Sequence, residues 1–140
     1  MPQGSPIDIA KAQVIAYNEK NWDQVKEVLA PNVVYDEVAT HRKVSGVNDV
    51  VTTWKGWAAA LPDSKATFES AVAVGNTVFL ELTWHGKQTG PLQMPSGEIP
   101  ASGKEIELRA LQVVEVADGK AKSVRQYFDM ATMLQQIGAT

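Results

Sequence analysis

The feature that most constrains this chain is a change of hydrophobic period near its middle. Through the first sixty or so residues, apolar side chains recur at helical spacing. From Thr67 onward they recur at every second position. Helices therefore come first and an antiparallel meander follows, with one short amphipathic segment at the end. That order predicts an α+β fold in which helices pack on one face of a bent sheet.

The helical part reads in three pieces. Ser5-Pro6 is a helix start, a hydroxyl cap followed by proline in the first turn. Ile7, Ala10, Val14 and Tyr17 then share one face. Asn21 can cap a second, short helix with Trp22, Val25, Val28 and Leu29 as its stripe, ended by Pro31. Val33-Val34-Tyr35 is strand-like, and the polar stretch 36–45 reads as a loop. A third helix is predicted over about 47–60, with Val50, Val51, Trp54, Trp57, Ala58 and Leu61 on its buried side. Pro62-Asp63 closes it.

The strand part begins at 67–74, turns at Gly75-Asn76 and continues over 77–85. There Val78, Leu80, Leu82 and Trp84 share a face opposite Phe79, Glu81, Thr83 and His85. The Gly- and Pro-rich stretch 86–103 reads as a long loop, with at most a short extended segment, of the kind that often carries function. A long strand follows over 105–116, then the hairpin signal Asp118-Gly119 and a last strand over 121–128. Met130, Met133, Leu134 and Ile137 give the closing helix. Nothing divides the chain, so residues 1–140 read as one domain.

Composition narrows the function classes. The net charge is −3 and the basic residues are dispersed, which argues against nucleic acid or an anionic membrane as partner. The chain has no cysteine, so disulfides, thiolate catalysis and Cys-ligated metals are excluded. Its start, Met1-Pro2-Gln3-Gly4-Ser5-Pro6, has neither the basic nor the apolar part of a signal peptide, and no apolar run approaches a membrane span. The expected location is the cytoplasm.

Asp129 is the first candidate for chemistry. It ends the last strand, lies between Phe128 and Met130, and precedes a helix. It reads either as the cap of that helix or as a working carboxylate with a perturbed pKa. Strand alternation puts Arg125, Tyr127 and Asp129 on one face, which would bring them together if that face lines a cavity. Asp36 and Glu37 form a second acidic pair after the early strand; Glu37 reads as a solvated loop residue. Trp54 and Trp57, together with Trp22 and Trp84, are either core or the wall of a pocket for a flat ligand. His41 and His85 form no HxH or HxxxH pair, so a metal site is not expected. There is no GxSxG and no phosphate loop.

Several stretches then match a family in order along the chain: Leu29-Ala30-Pro31-Asn32-Val33-Val34-Tyr35, Ser45-Gly46-Val47, Leu61-Pro62-Asp63, Gln88-Thr89-Gly90-Pro91-Leu92, Pro100-Ala101-Ser102-Gly103-Lys104, Asp118-Gly119-Lys120, and Tyr127-Phe128-Asp129 through Gln135-Gln136-Ile137-Gly138. The chain resembles the SnoaL-like polyketide cyclases (ester cyclase type) of the nuclear-transport-factor-2-like superfamily. The resemblance implies a cone-shaped α+β barrel, a curved antiparallel sheet wrapped around helices, with an apolar pocket at one end. It implies homodimers paired through the sheet, no cofactor and no metal. It also implies that Asp129 is the general base, taking a proton from a carbonyl-activated carbon so that the enolate closes a ring by aldol addition.

Asp36 and Gln88 stand where the family pattern commonly has histidines, and they become the expected assistants of Asp129. Tyr35, Trp54, Trp57, Trp84, Arg109, Gln112, Arg125 and Tyr127 are the expected substrate-binding residues. The substrate expected is an apolar small molecule, polycyclic or carbonyl-containing. The loss of both histidines keeps a second function open, a non-catalytic binding or accessory protein using the same pocket. Epoxide hydrolysis is a lesser alternative, because the Arg-x-Asp pair that such relatives need is absent.

Overall fold

The computed structural model describes residues 4–139, so Met1, Pro2 and Gln3 of the start discussed above lie outside the described residues. Helices α1 (Pro6–Asn18) and α2 (Trp22–Val28) open the chain, and α3 (Val47–Ala60) lies between strands β1 (Leu29–Glu37) and β2 (Arg42–Ser45) before it and the remaining strands after it. Those are β3 (Lys65–Val74), β4 (Thr77–Lys87), β5 (Leu92–Met94), β6 (Gly97–Ile99), β7 (Glu105–Ala117) and β8 (Lys120–Phe128); α4 (Met130–Gln136) ends the chain. The caps are those that local chemistry predicts. Ser5 Oγ accepts from the Asp8 N–H at 3.2 Å with Pro6 in the first turn of α1, and Asn21 Oδ1 accepts from the Gln24 N–H at 3.2 Å at the start of α2.

The main sheet has the order β2-β1-β8-β7-β4-β3. It is curved and open, with β2 and β3 as its edges, and does not close into a barrel. β3, β4, β7 and β8 form the expected antiparallel meander. β1, however, joins β8 in parallel, with Tyr35 opposite Val124 and Asp36 opposite Arg125. A parallel pair needs a long connection, and here the chain between β1 and β8 comprises most of the molecule.

Two expected loops are more ordered than their sequences suggest. The stretch 36–45 completes β1, makes a 3₁₀ turn and returns as β2, because Glu37 gathers donors from both sides of that turn. The stretch 86–103 contains the β5–β6 hairpin and is tied together by Gln88. Gly90 is required where this segment crosses the end of α3. A Cβ there would lie 2.3 Å from the Ala59 carbonyl oxygen, and the Gly90 N–H donates to the Ala60 oxygen at 3.1 Å.

The concave face of the sheet packs on α1 and α3. Val14, Val25, Val33, Tyr35, Val50, Leu80, Leu82, Val114 and Val124 are fully or almost fully buried there. A second apolar cluster, with Leu61, Leu92, Ile106, Leu108, Met133 and Ile137, lies under α4 and the β5–β6 hairpin. No helix among the described residues is long and apolar enough to cross a membrane.

Candidate functional site

The candidate site is a cavity between the two clusters. α1 contributes Gln13, Val14 and Tyr17, and α3 contributes Trp54 and Trp57. The sheet contributes Tyr35, Trp84, Leu108, Gln112, Gln126 and Phe128, and Met133 of α4 closes one end. Period-two alternation turns one face of each strand inward, Val33, Tyr35 and Glu37 on β1 and Val124, Gln126 and Phe128 on β8, and of these Tyr35, Gln126 and Phe128 reach the cavity. The aromatic rings meet edge to face. Tyr17 lies 5.3 Å from Trp84, Tyr35 lies 5.5 Å from Trp54, and Trp57 lies 6.0 Å from Phe128, all near perpendicular. Each such pair adds roughly 0.5–1.5 kcal/mol beyond its burial, which makes the wall stiff.

A row of hydrogen bonds crosses the floor of this cavity. Gln13 Nε2 donates to Gln112 Oε1 at 2.7 Å, and Gln112 Nε2 donates to Gln126 Oε1 at 3.1 Å. Gln126 Nε2 donates to Tyr35 Oη at 3.0 Å, and Tyr35 Oη donates to Glu37 Oε2 at 2.6 Å. Every step donates toward Glu37. The Trp84 indole N–H also donates to Gln126 Oε1, at 3.0 Å, and the Ala10 carbonyl accepts from Gln13 Nε2, at 3.0 Å. Aligned donors of this kind polarise one another.

Glu37 is fully buried and is the anchor of the row. Its Oε2 accepts from Tyr35 and from Trp57 Nε1 (2.7 Å), and its Oε1 accepts from Thr40 Oγ1 (2.6 Å) and the Arg42 guanidinium (2.8 Å). A carboxylate offers about four lone-pair sites, and all are occupied. Burying it costs several kcal/mol, which four donors, one of them the Arg42 cation, offset. Glu37 thus holds Tyr35 and Trp57 in place from behind the cavity wall.

Both phenols of the site stay protonated. Burial pushes Tyr17 up to about 12, against a smaller lowering by its 2.7 Å hydrogen bond with Ser64 Oγ. Burial also raises Tyr35 well above the ordinary phenol value, and the neighbouring Glu37 charge raises it further. The lining residues include no Asp, Glu, His, Lys or Arg. The wall is neutral: apolar rings, amides and hydroxyls.

The residues singled out from the sequence divide into two groups. Tyr35, Trp54, Trp57, Trp84 and Gln112 line the cavity. Asp129, Arg125 and Tyr127 do not, because the face they share is the outer one. Asp129 is exposed and caps α4, accepting from the Ala131 N–H at 3.1 Å and Thr132 Oγ1 at 2.7 Å. The Thr132 hydroxyl first, and the backbone N–H groups of Thr132 and Ala131 after it, hold its carboxyl below the usual value against an opposing effect of desolvation. The expectation of a carboxylate facing the pocket from this strand is therefore corrected.

Arg125 pairs with Glu115 at 3.3 Å and Arg109 with Glu81 at 3.7 Å, both on the outer face, where Tyr127 is 40% exposed. Asp36 alternates with Tyr35 and Glu37 and is not among the lining residues. Gln88 is fully buried, but its amide is engaged within its own loop. Nε2 donates to the Pro100 carbonyl at 3.2 Å, and Oε1 accepts from the Ser102 N–H at 3.3 Å. His41 is exposed, and His85 sits 3.7 Å from Glu107 at the surface. Among the described residues, no group of three or more His, Asp or Glu side chains could hold a metal ion.

The sequence reading missed Gln13, Gln126 and Glu37. The available signal was alternation: Glu37 shares its face with Val33 and Tyr35, and Gln126 shares its face with Val124 and Phe128.

A family model for SnoaL-like polyketide cyclases matches residues 7–137. The chain belongs to that family. Comparison with curated proteins finds no match to this SnoaL-like chain. Solved structures agree on its fold. TsrD from Streptomyces laurentii is 22% identical with a TM-score of 0.80, over 95% of this chain and 94% of that one. IdmH from Streptomyces antibioticus is 22% identical with a TM-score of 0.81, over 96% and 99%. An LEH-like epoxide hydrolase from M. tuberculosis is 20% identical with a TM-score of 0.73, over 94% and 88%.

Proposed function

We propose that this protein is a small-molecule enzyme in the general sense of its family, and that its ligand is a neutral, largely apolar compound held in the aromatic cavity. The observation that carries this reading is the cavity wall, with Trp54, Trp57, Trp84 and Phe128 around a floor of side-chain amides. Rings favour a flat apolar body, and fixed amides favour a polar handle on it. An ionic ligand would lose its hydration and find no counter-charge in the lining.

The finer reading is a polyketide-like substrate, with Asp129 removing a proton from a carbonyl-activated carbon before an aldol ring closure. Its support is family membership. Geometry weighs against it, since Asp129 would have to release Ala131 and Thr132 and turn inward from the outer face. A second reading, non-catalytic binding in the same cavity, is favoured by the absence of any ionisable acid or base of the usual kind from the lining.

The test compares wild type with Asp129→Asn, which keeps a favourable helix cap. Both are assayed for uptake of aromatic ketones by tryptophan fluorescence and for turnover of them by product analysis. Equal uptake and equal turnover favour an enzyme that does not use Asp129. Loss of turnover alone restores Asp129 as the base, and uptake without turnover in wild type favours the binding protein.

Residues 1–140 are taken as one SnoaL-like domain, paired as a homodimer through the outer face of the sheet. Support for the pairing is the apolar strip on that face: Val72 opposite Phe79 across β3–β4, Phe79 opposite Val113 across β4–β7, and Tyr127 opposite Leu111 across β7–β8. Val72 is 56% exposed and Phe79 37%, more apolar surface than a lone sheet face gains from showing to water.

A further inference from the structure

The hydrogen-bond row on the cavity floor can run in only one sense. The Glu37 carboxylate and the Ala10 carbonyl only accept, and the Trp84 indole only donates. Turning Gln126 over would set its NH₂ against the Trp84 N–H and Gln112 Nε2, and would leave two oxygens facing at Tyr35. Gln112 is held in the same way between Gln13 and Gln126.

This fixed sense decides what a ligand meets. The Tyr35 hydrogen is committed to Glu37, so Tyr35 has none to give. Gln126 Oε1 already accepts from Trp84 and from Gln112, which fills both of its lone pairs. Gln126 Nε2 has two hydrogens, of which the row uses one, on Tyr35. Gln126 lines the cavity and is 9% exposed. What it has left to offer is an N–H.

Resting on the small-molecule reading above, we propose that Gln126 is a specificity-determining residue of the cavity. It donates its second amide N–H to an acceptor oxygen, a ketone or quinone type of carbonyl, on an otherwise apolar ligand. The ligand must bring an acceptor because, once the ligand has displaced solvent from this largely apolar cavity, the N–H otherwise has no partner, which is costly. Glu37, outside the cavity, acts on the ligand indirectly, by holding Tyr35 and Trp57 and, through Tyr35, the sense of the row.

The test uses two probes of nearly one shape: 1-tetralone, which carries a carbonyl oxygen, and tetralin, which carries none. Their affinities are measured by tryptophan fluorescence for wild type and for Gln126→Glu. A glutamic acid side chain has at most one hydrogen, and Tyr35 takes it, so the ligand-facing hydrogen is lost in either protonation state. Wild type is expected to prefer 1-tetralone by at least about tenfold, and the variant to bind the two probes within about twofold.

A preference that survives in the variant, or is absent in wild type while both probes bind, overturns the role of Gln126 and leaves the cavity reading standing. Failure of both probes to bind wild type overturns the cavity reading and this inference with it. If Gln126→Glu does not fold, the Gln126 side-chain amide resonances of wild type decide. They should shift on saturation with 1-tetralone but not with tetralin, and an unmoved amide in saturated protein overturns the proposal.

Discussion

Tyr35 and Glu37, two residues apart on one face of β1, are joined by a 2.6 Å hydrogen bond in which the phenol donates to a fully buried carboxylate. The pair ties the frame of the protein to its cavity. Glu37 faces Thr40 of the turn and Arg42 of β2 on one side, and Tyr35 faces the ligand space on the other.

Glu37→Leu should be strongly destabilising. It leaves the Arg42 guanidinium without its anion, and the Tyr35 and Trp57 donors without an acceptor. Loss of one partner from a buried ion pair costs roughly 3–5 kcal/mol. Urea unfolding followed by tryptophan fluorescence measures this; a change under about 1 kcal/mol would remove Glu37 from its anchoring role.

Alkaline stability follows from the two phenols. Tyr17 is raised to about 12 and Tyr35 well above its ordinary value. Both are protonated in the folded state at pH values where they ionise in the unfolded chain. Their contribution is therefore complete below the unfolded value of about 10 and is lost as pH rises through the folded value. For Tyr17 alone that is roughly 3 kcal/mol across about pH 10 to 12. Tyrosinate absorbance of these residues should appear together with unfolding; ionisation of Tyr17 near pH 10 in folded protein would contradict the burial described.

The homodimer should depend on the outer face of the sheet. Phe79→Asp places a charge in the middle of the strip formed with Val72 and Val113. Sedimentation velocity is expected to show monomer for the variant and dimer for wild type, with unchanged far-UV circular dichroism. A variant that stays dimeric would move the interface elsewhere.

The fold was legible because period and capping are local. Ser5-Pro6, the helical stripe of α3 and the alternation of β4 and β7 each state their own element. The parallel seating of β1 on β8 was not legible, since no local pattern records which distant strand a segment meets. The site was half legible for a related reason. Alternation divides a strand into two faces without saying which one is buried, and a choice offset by one residue exchanges Gln126 and Phe128 for Arg125, Tyr127 and Asp129.

The apolar neighbours of Asp129 misled in the same way. In an extended segment Phe128 points to the opposite face, so it says nothing about the surroundings of the carboxylate. Glu37 was hidden by composition. A glutamate in a polar run reads as solvated until Tyr35, Thr40, Arg42 and Trp57, the last from α3, are seen to converge on it.

The central claim is that a small molecule occupies the neutral aromatic cavity and not the surface near Asp129. A high-resolution crystal structure of protein soaked with 1-tetralone tests it most directly. The account predicts density for the ring system between Trp54, Trp57 and Trp84, with the carbonyl oxygen within hydrogen-bond distance of Gln126 Nε2. A ligand seated against the Asp129 carboxylate, with the cavity empty, would contradict it.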